Sequence, residues 1–299
     1  MQDKLSGKNE LSSSQIVESS SKFQNSNFKF INVGLIGHPI EHSLSPQLHN
    51  EFFRLCGING SYSLWDTPDS RMLASFVDKA RNKGIHGFNV TIPHKLSIIS
   101  YLDELDELAE RIGSVNTVVN FDGLLKGYNT DVSGVEYLLK NNSIDINNKP
   151  VALIGCGGAA RAAAVVLAEQ GCTVFCIVRD LNSINAAQMQ SIYDRIYLVQ
   201  EKACSQAISD CKIIVNALPP QAAEQFVLQN ATIIKRLNFL AAIDLNYYPP
   251  FTDFMKRFRN PARIVGGVDM LIGQAAKAFN LWSGCKLKLP KKFTVDQCK

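Results

Sequence analysis

Residues 151–161, VALIGCGGAAR, combine a short apolar strand, a glycine-rich turn and the start of an alanine-rich helix. Gly155 allows the tight turn, Gly157 lets the backbone come close to a pyrophosphate, and Ala160 is small enough for the helix to pack on the strand. The unpaired amides at the start of such a helix attract phosphate groups. The G-x-G-x-x-A spacing alone is weak evidence, because other strand–turn–helix units also use glycine. Its sequence context therefore carries the argument.

The segments after this turn alternate between helix and strand patterns. We predict helices over residues 159–169 and near residues 221–228, and strands over Thr173–Val178, Lys212–Asn216 and Ala241–Leu245. Buried strands separated by helices are typical of a doubly wound parallel sheet, which binds dinucleotides where the strand order reverses. The sequence therefore predicts an α/β protein with a Rossmann-type dinucleotide-binding domain.

Length and composition limit the possible classes of function. The 299 residues suit about two domains, and 46% hydrophobic residues supply a core for each. The net charge of +4 comes from scattered Lys and Arg residues, so we expect a small-molecule substrate and no nucleic-acid partner. No apolar run approaches the ~18 residues of a membrane span. Eight cysteines without a CxxC pair favour a reduced, cytoplasmic protein without a metal site.

Two serines precede the first predicted helix of the N-terminal half. A strand is predicted over residues 30–36, and the helix after it should begin at Pro46 with Ser45 as its N-cap. The hydroxyls of Ser43 and Ser45 could also donate hydrogen bonds to a carboxylate, assisted by the helix dipole. Capping is the more common role of such a serine, and the two roles are compatible.

A lysine follows the strand that is predicted to begin at Gly87. Pro93 should end this strand and begin a helix, which puts Lys95 in the first helical turn. The helix dipole opposes a cation there, so this lysine could exchange a proton near neutral pH. An ordinary surface lysine is the alternative. We expect His94 to be structural and the acidic run over residues 103–107 to be a solvated helix face.

Three further features complete the pattern. The Asp122-Gly123 pair between two apolar runs predicts a β-hairpin. Asp131, taken alone, is the expected N-cap of a helix over residues 132–140. A last helix, over residues 270–282, carries Gln274 among mostly apolar side chains.

Seven motifs occur together in the order and near the spacing of a known family. They are GHPIEHSLSP (37–46), GFNVTIPHK (87–95), GSVNTVVN (113–120), GYNTD (127–131), LIGCGGAAR (153–161), DLNYYPPFT (244–252) and GGVDMLIGQAAKAF (266–279). Through them the chain resembles the shikimate dehydrogenase family from about residue 33 to residue 284. The resemblance implies an oxidoreductase that reversibly reduces 3-dehydroshikimate to shikimate with NADPH, on the chorismate route to aromatic amino acids.

The resemblance also implies roles for individual residues. Lys95 and Asp131 would form the catalytic pair, although 36 residues separate them. The implied substrate-binding residues are Ser43, Ser45, Asn89, Thr91, Asn116, Tyr247 and Gln274. The implied cofactor-binding residues are Gly155, Cys156, Gly157, Gly158, Ala159, Arg179, Asp180, Leu245, Gly267 and Glu107.

These roles suit the oxidation of a secondary alcohol. Lys95 would accept the hydroxyl proton while the nicotinamide takes the hydride, and would return the proton during reduction. Asp131 would orient the lysine and the hydroxyl and supply a counter-charge. The reaction needs no metal, and none is expected.

The end of the second Rossmann strand bears on the choice of cofactor. Arg179 lies 24 residues after Gly155, where NAD enzymes usually carry an acidic residue for the ribose diol. An arginine there favours a 2′-phosphate, and hence NADP. Asp180 stands where the family usually has Ser or Thr. Its carboxylate would repel that phosphate or accept a ribose hydroxyl, so NAD is the alternative cofactor.

Two other positions depart from the family pattern. Residues 218–220, Leu-Pro-Pro, replace the family's usual loop beside the nicotinamide, which leaves the packing of this loop in question. Asp269 stands where glycine is common, and we expect its carboxylate near the nicotinamide end of the cleft.

We expect two domains with a cleft between them and a flexible polar tail over residues 1–27. Residues 28–131 and 267–299 would form the substrate domain, and residues 132–266 the Rossmann domain, in a monomer or homodimer. The nearest alternative function is an NAD-dependent quinate/shikimate dehydrogenase. A non-catalytic shikimate-binding homologue is the other, and the presence of both Lys95 and Asp131 argues against it.

Overall fold

The computed structural model describes residues 29–180, 192–230, 239–258, 263–287, 289 and 293–295. Within these residues, two six-stranded sheets account for all twelve strands. Among the described residues, eight α-helices, α1 to α8 in chain order, pack around the two sheets.

The first sheet is mixed. Its strands are β1 (Ile31–Gly37), β2 (Gly60–Asp66), β3 (Gly87–Val90), β4 (Glu104–Leu105), β5 (Thr117–Phe121) and β6 (Leu124–Tyr128), in the spatial order β2-β1-β3-β5-β6-β4. The β3–β5 and β5–β6 pairs are antiparallel, and the other neighbours are parallel. The β5–β6 turn has φ of 51° at Asp122 and 96° at Gly123, so the predicted Asp-Gly hairpin is confirmed.

Helix α1 (Ser45–Cys56) does not use Ser45 as its N-cap. The cap position is held by Leu44, without a side-chain hydrogen bond, and Ser45 is the first helical residue. The Ser45 amide donates to the Ser43 Oγ at 3.3 Å. Pro46 takes the second position, where its missing N–H also costs nothing. The capping role predicted for Ser45 is therefore wrong, and its hydroxyl is available for another partner.

The prediction that a helix begins after Pro93 is also wrong. Turns cover residues 95 and 96, and only a short 3₁₀ helix follows, over Ser97–Tyr101. The carbonyl of Lys95 accepts a hydrogen bond from the amide of Val115 at 2.9 Å, so this contact replaces a helical one. The helix-dipole argument for Lys95 loses its basis.

The acidic run does not form a helix face. Asp103 accepts a hydrogen bond from Arg81 Nη1 at 2.6 Å, and Glu104 lies in β4. Asp106 is the N-cap of α3 (Glu107–Ile112) and accepts from the amide of Ala109 at 2.8 Å. Helix α2 spans Ser70–Asn82, and Asp69 is its N-cap.

The second sheet is entirely parallel. Its strands are β7 (Pro150–Ile154), β8 (Thr173–Val178), β9 (Arg195–Leu198), β10 (Ile213–Asn216), β11 (Ala241–Asp244) and β12 (Arg263–Val265), in the order β12-β11-β10-β7-β8-β9. The remaining helices are α4 (Asp131–Asn141), α5 (Gly158–Glu169), α6 (Lys202–Asp210), α7 (Pro220–Gln229) and α8 (Val268–Ser283). The strand order reverses between β7 and β10, which confirms the doubly wound α/β prediction.

Close packing of α4 against α8 joins the two halves of the structure. A Cβ at Gly134 would lie 2.5 Å from the carbonyl oxygen of Met270, and one at Gly273 would lie 2.5 Å from the Cβ of Tyr137. The two glycines therefore let the helix backbones approach each other. This contact brings Asp131, at the start of α4, close to Gln274 on α8.

Candidate active site

Lys95 and Asp131 meet at the junction of the first sheet and α4. Lys95 Nζ lies 2.5 Å from Asp131 Oδ2, and the two side chains are 19% and 5% exposed. The other carboxylate oxygen accepts a hydrogen bond from Asn116 Nδ2 at 2.8 Å. Asp131 is not the N-cap of its helix, since Thr130 holds that position. Both oxygens of this carboxylate are therefore committed to fixing the lysine and the amide.

A buried polar network surrounds this pair. Asn116 Oδ1 accepts from the amide of Thr130 at 2.7 Å, and its Nδ2 lies 3.4 Å from Gln274 Oε1. The hydroxyl of Thr130 lies 3.0 Å from the hydroxyl of Thr117, which accepts a hydrogen bond from Asn89 Nδ2 at 2.9 Å. Buried polar groups connected in this way hold one another in single orientations. The network presents hydroxyls and amides beside the lysine.

The two predicted serines lie beside two tyrosines. Burial raises the pKa of Tyr62, and a hydrogen bond with Ser45 opposes that rise. Burial likewise raises the pKa of Tyr247, against the effect of a hydrogen bond with Ser43. The Tyr62 hydroxyl also donates to Asn89 Oδ1 at 2.8 Å. The structure thus brings the serines together with Tyr247, as predicted, and adds Tyr62, which the sequence reasoning missed.

The glycine-rich turn between β7 and α5 has the shape that a phosphate group requires. Gly155 has φ of +103°, a conformation that favours glycine. Apart from its chain neighbours, a Cβ at Gly157 would meet no heavy atom of the described residues within 4 Å, whereas a Cβ at Gly158 would lie 2.5 Å from Ser114 Oγ. The turn therefore faces open space at Gly157 and closely contacts the segment around Ser114 at Gly158. The residues present fit a dinucleotide pyrophosphate at the start of α5.

The loop after β10 is held in place by hydrogen bonds. The carbonyl of Leu218 accepts from Asn246 Nδ2 at 2.7 Å, and the amide of Leu218 donates to Asn216 Oδ1 at 3.1 Å. Asn246 Nδ2 also donates to the buried carboxylate of Asp244, which accepts a hydrogen bond from the hydroxyl of Thr252. The loop whose packing the sequence left in question is thus bound to the segment that carries Tyr247.

The remaining predicted cofactor residues lie in three places. Gly267 packs on Leu245, since a Cβ there would lie 2.2 Å from the Leu245 carbonyl oxygen. Arg179 and Asp180 are exposed directly after β8. Glu107 is exposed at the first residue of α3. Their roles stay predictions.

Asp269 does not lie where the sequence predicted. Its carboxylate oxygens accept hydrogen bonds from Asn141 Nδ2 at 2.9 Å and from Asn142 Nδ2 at 2.6 Å. These residues lie at the opposite end of α4 from Asp131, a distance of about 15 Å along the helix. The carboxylate therefore stabilises the α4–α8 contact and does not face Lys95 and Asp131.

Known proteins are similar to this chain in sequence. A family model of the shikimate dehydrogenase substrate binding domain matches residues 35–118, and one of the shikimate 5′-dehydrogenase C-terminal domain matches residues 267–288. A shikimate dehydrogenase (NADP(+)) from Caldanaerobacter subterraneus subsp. tengcongensis is 38% identical over 261 residues, which cover 84% of this chain and 91% of that protein. The chain belongs to the shikimate dehydrogenase family.

Solved structures of this family have the same fold. The shikimate 5-dehydrogenase of Thermus thermophilus, in complex with NADP(H) and shikimate, superposes with a TM-score of 0.73 at 30% identity, covering 85% of this chain and 94% of that one. The enzyme of Listeria monocytogenes, in complex with shikimate and NAD, gives 0.74 at 29% identity, covering 92% and 97%. The predictions of family and fold class are therefore confirmed.

The described residues contain neither a membrane span nor a metal cluster. None of their helices combines the length and apolar character needed to cross a membrane. Within the same part of the chain, no three His, Cys, Asp or Glu side chains are grouped as metal ligands would be.

Sequence reasoning missed residues whose role depends on burial. Tyr62 sits in an ordinary strand pattern, and Asp244 ends another strand. Arg161 closes the glycine motif, where the sequence indicated no role for it. Asp244 and Arg161 lie at the ends of quoted motifs, which was the available signal for them, and Tyr62 lies in none. Only the structure shows that the side chains of Tyr62, Asp244 and Arg161 are buried, at 6%, 0% and 3% exposure.

Proposed function

We propose that this chain is an NADP-dependent shikimate dehydrogenase that reversibly reduces 3-dehydroshikimate to shikimate, in the biosynthesis of aromatic amino acids. The observation that carries the proposal is the 2.5 Å contact between Lys95 and Asp131, set among buried hydroxyls and amides. Family membership supports it, since relatives named shikimate dehydrogenase (NADP(+)) align with more than four-fifths of the chain.

Lys95 and Asp131 together carry out the proton transfer. In reduction, Lys95 Nζ donates a proton to the carbonyl oxygen that becomes the hydroxyl, and in oxidation it takes that proton back. The Asp131 carboxylate holds the Lys95 amino group in place, while Asn116 fixes the second carboxylate oxygen. NADPH, when bound, supplies the hydride.

The other predicted residues orient the substrate. Ser43, Ser45 and Tyr247 form the hydroxyl cluster suited to the shikimate carboxylate. The ring hydroxyls would bind to the amide and hydroxyl groups beside the lysine, contributed by Asn89, Thr91, Asn116 and Gln274. Of these, Asn89 already makes three protein hydrogen bonds, so we expect it to position its neighbours more than to bind substrate directly.

The cofactor would lie along the switch point of the parallel sheet. Residues 155–159 would bind the pyrophosphate at the start of α5. Leu245 and Gly267 would line the part of the site that holds the nicotinamide. Arg179 is exposed at the end of β8, within reach of a 2′-phosphate on a ligand bound there. This placement favours NADP, and Glu107 is the least supported of the cofactor residues.

A two-by-two assay tests the proposal. Purified protein is given shikimate or quinate, each with NADP or NAD, and nicotinamide absorbance is followed. We expect strong activity with shikimate and NADP and weak activity in the other three combinations. No activity in any combination would contradict the proposal.

Two observations favour a second candidate, an NAD-dependent quinate/shikimate dehydrogenase. Asp180 puts a carboxylate beside the position of the 2′-phosphate, and the Listeria monocytogenes relative was solved with NAD. Comparable rates with NAD and with quinate in the same assay would favour this candidate.

The domain division follows the two sheets. We propose that residues 28–131 and 267–299 form the substrate domain and that residues 132–266 form the cofactor domain. Residues 1–27, expected to be a flexible polar tail, lie outside the described residues. A monomer or homodimer in the cytoplasm is the expected form. The unbridged thiols of the described cysteines are compatible with a reducing compartment.

A further inference from the structure

Two arginines connect α3 to α5, and their surroundings differ. Arg111, near the end of α3, forms an ion pair with Glu169 at the end of α5, with 2.9 Å between Nη1 and Oε1 and both side chains about half exposed. Arg161, in the first turn of α5, is only 3% exposed. The first is an ordinary surface pair, and the second is a buried cation.

The hydrogen-bond partners of Arg161 among the described residues are all neutral. Its Nε donates to the carbonyl of Cys156 at 3.2 Å, and its Nη1 to the carbonyls of Ile112 and Gly113 at 3.3 and 3.4 Å. No carboxylate of the described residues forms an ion pair with it. Because Cys156 lies in the glycine-rich turn, the guanidinium lies directly behind that turn.

This position is unfavourable for an arginine in the free protein. A buried charge without an opposite charge carries a desolvation cost that hydrogen bonds to carbonyls only partly offset. The α5 dipole adds to the cost, since its positive end lies at the first turn. An anion on the outer side of the turn, where Gly157 faces open space, would supply the missing charge.

We propose that Arg161 is the buried counter-charge of the cofactor's pyrophosphate. It acts through the backbone of the turn without touching the cofactor, so it is a positioning residue. In a site of low dielectric constant this attraction remains strong over several ångströms. The inference rests on the proposed function, because it takes the anion to be a dinucleotide.

Two consequences separate this role from others. The pyrophosphate is common to NADP and NAD, so loss of the Arg161 charge lowers the affinity for both cofactors by the same factor. Loss of a 2′-phosphate contact, by contrast, lowers the affinity for NADP alone. The charge, and not the fork shape of the guanidinium, is what matters, so lysine at this position should retain most of the affinity.

The experiment compares Arg161→Met, Arg161→Lys and Arg161→Gln in the full chain. Dissociation constants for NADP and NAD are measured by calorimetry, shikimate binding reports correct folding, and thermal unfolding is followed with and without cofactor. We expect the Met and Gln variants to bind both cofactors about tenfold or more weakly, and the Lys variant to stay within about threefold of the parent. Cofactor-induced stabilisation should shrink accordingly. Arg111→Gln, at the same helix contact, should change neither affinity.

Three results would overturn the inference. The first is unchanged cofactor affinity in the Met and Gln variants. The second is an equal loss of affinity in the Lys and Met variants, and the third is a loss of affinity for NADP alone. If Arg161→Met fails to fold, the comparison of the Lys and Gln variants decides in the same way. A parent protein that binds neither cofactor would instead contradict the proposed function.

Discussion

The substrate end and the cofactor end of the proposed site are built from different kinds of group. At the substrate end, side chains from distant segments meet: Lys95 contacts Asp131, 36 residues away, and Asn116 lies beside Gln274, 158 residues away. At the cofactor end, the proposed phosphate site is one continuous stretch of backbone, residues 155–159. The first end depends on tertiary packing, and the second on local backbone conformation. Substitutions should therefore affect the two ends in different ways.

The largest effect is expected at the substrate end, in Lys95→Ala. Without the group that delivers the proton, turnover should fall by about 10²–10⁴-fold. Shikimate affinity should change only a few-fold, because the hydroxyls and amides remain. Steady-state kinetics and shikimate titration measure the two quantities.

A surface lysine provides the matched control for this change. Lys149 pairs with Asp145 at 2.6 Å on the exposed surface, so Lys149→Ala should leave turnover unaltered. Retained activity in Lys95→Ala would show that another group supplies the proton.

A second large effect concerns stability behind the substrate end. His49 is fully buried in α1, stacks on Tyr62 with ring centres 4.3 Å apart, and has no hydrogen-bond partner among the described residues. Burial lowers the pKa of His49 from 6.5 to about 3. As the pH falls below 6.5, His49 binds a proton in the unfolded chain but stays neutral in the folded protein. The unfolding free energy therefore has its full value above pH 6.5. Because of His49, it falls by about 1.4 kcal/mol per pH unit between pH 6.5 and about pH 3.

His49→Phe should remove this part of the pH dependence. Between pH 7.5 and pH 4.5 the parent should lose about 2–3 kcal/mol more unfolding free energy than the variant, as measured by urea unfolding. At pH 7.5 the variant should be equally stable or more stable, since two unpaired nitrogens are removed. The exposed His42 provides the control, as His42→Gln. Parallel pH profiles for the parent and His49→Phe would contradict the prediction.

A third change tests the backbone character of the cofactor end. Gly157→Ala adds a methyl group where, apart from the two chain neighbours, no heavy atom of the described residues lies within 4 Å, so folding should be unaffected. The same methyl group would occupy the space next to the turn amides, and NADP should bind about tenfold or more weakly. Calorimetry and thermal unfolding together check this. Unchanged affinity would mean that the phosphates do not approach the turn at Gly157.

This contrast also explains what the sequence could predict. The strand over Thr173–Val178 has the predicted bounds, and the Asp122-Gly123 turn has the predicted dihedral signs. Both depend on patterns within a few consecutive residues. The Rossmann turn was recognisable for the same reason.

The errors fall where distant contacts decide the conformation. Lys95 lies outside any α-helix because its carbonyl binds the amide of Val115. Asp269 turns away from the cleft because Asn141 and Asn142 offer it two amide donors. The importance of Arg161 could not be seen because its sequence position reveals neither its burial nor its lack of a carboxylate. None of these partners is fixed by spacing along the chain.

The smallest expected effect returns to the substrate end. The backbone of Thr91 is held by hydrogen bonds with Ile36 and His94, both of 2.9 Å, so a substitution there alters the side chain and leaves the loop in place. Its methyl group lies close to Gly37, since a Cβ at Gly37 would be only 2.3 Å from Thr91 Cγ2. We predict that the Thr91 side chain fills the space that the additional hydroxyl of quinate would need. Thr91→Gly should raise turnover of quinate relative to shikimate several-fold, and Thr91→Ser should have a smaller effect, because the substrate end selects by side-chain volume and hydroxyl position. If neither variant changes the ratio, selection against quinate depends on other residues of the network.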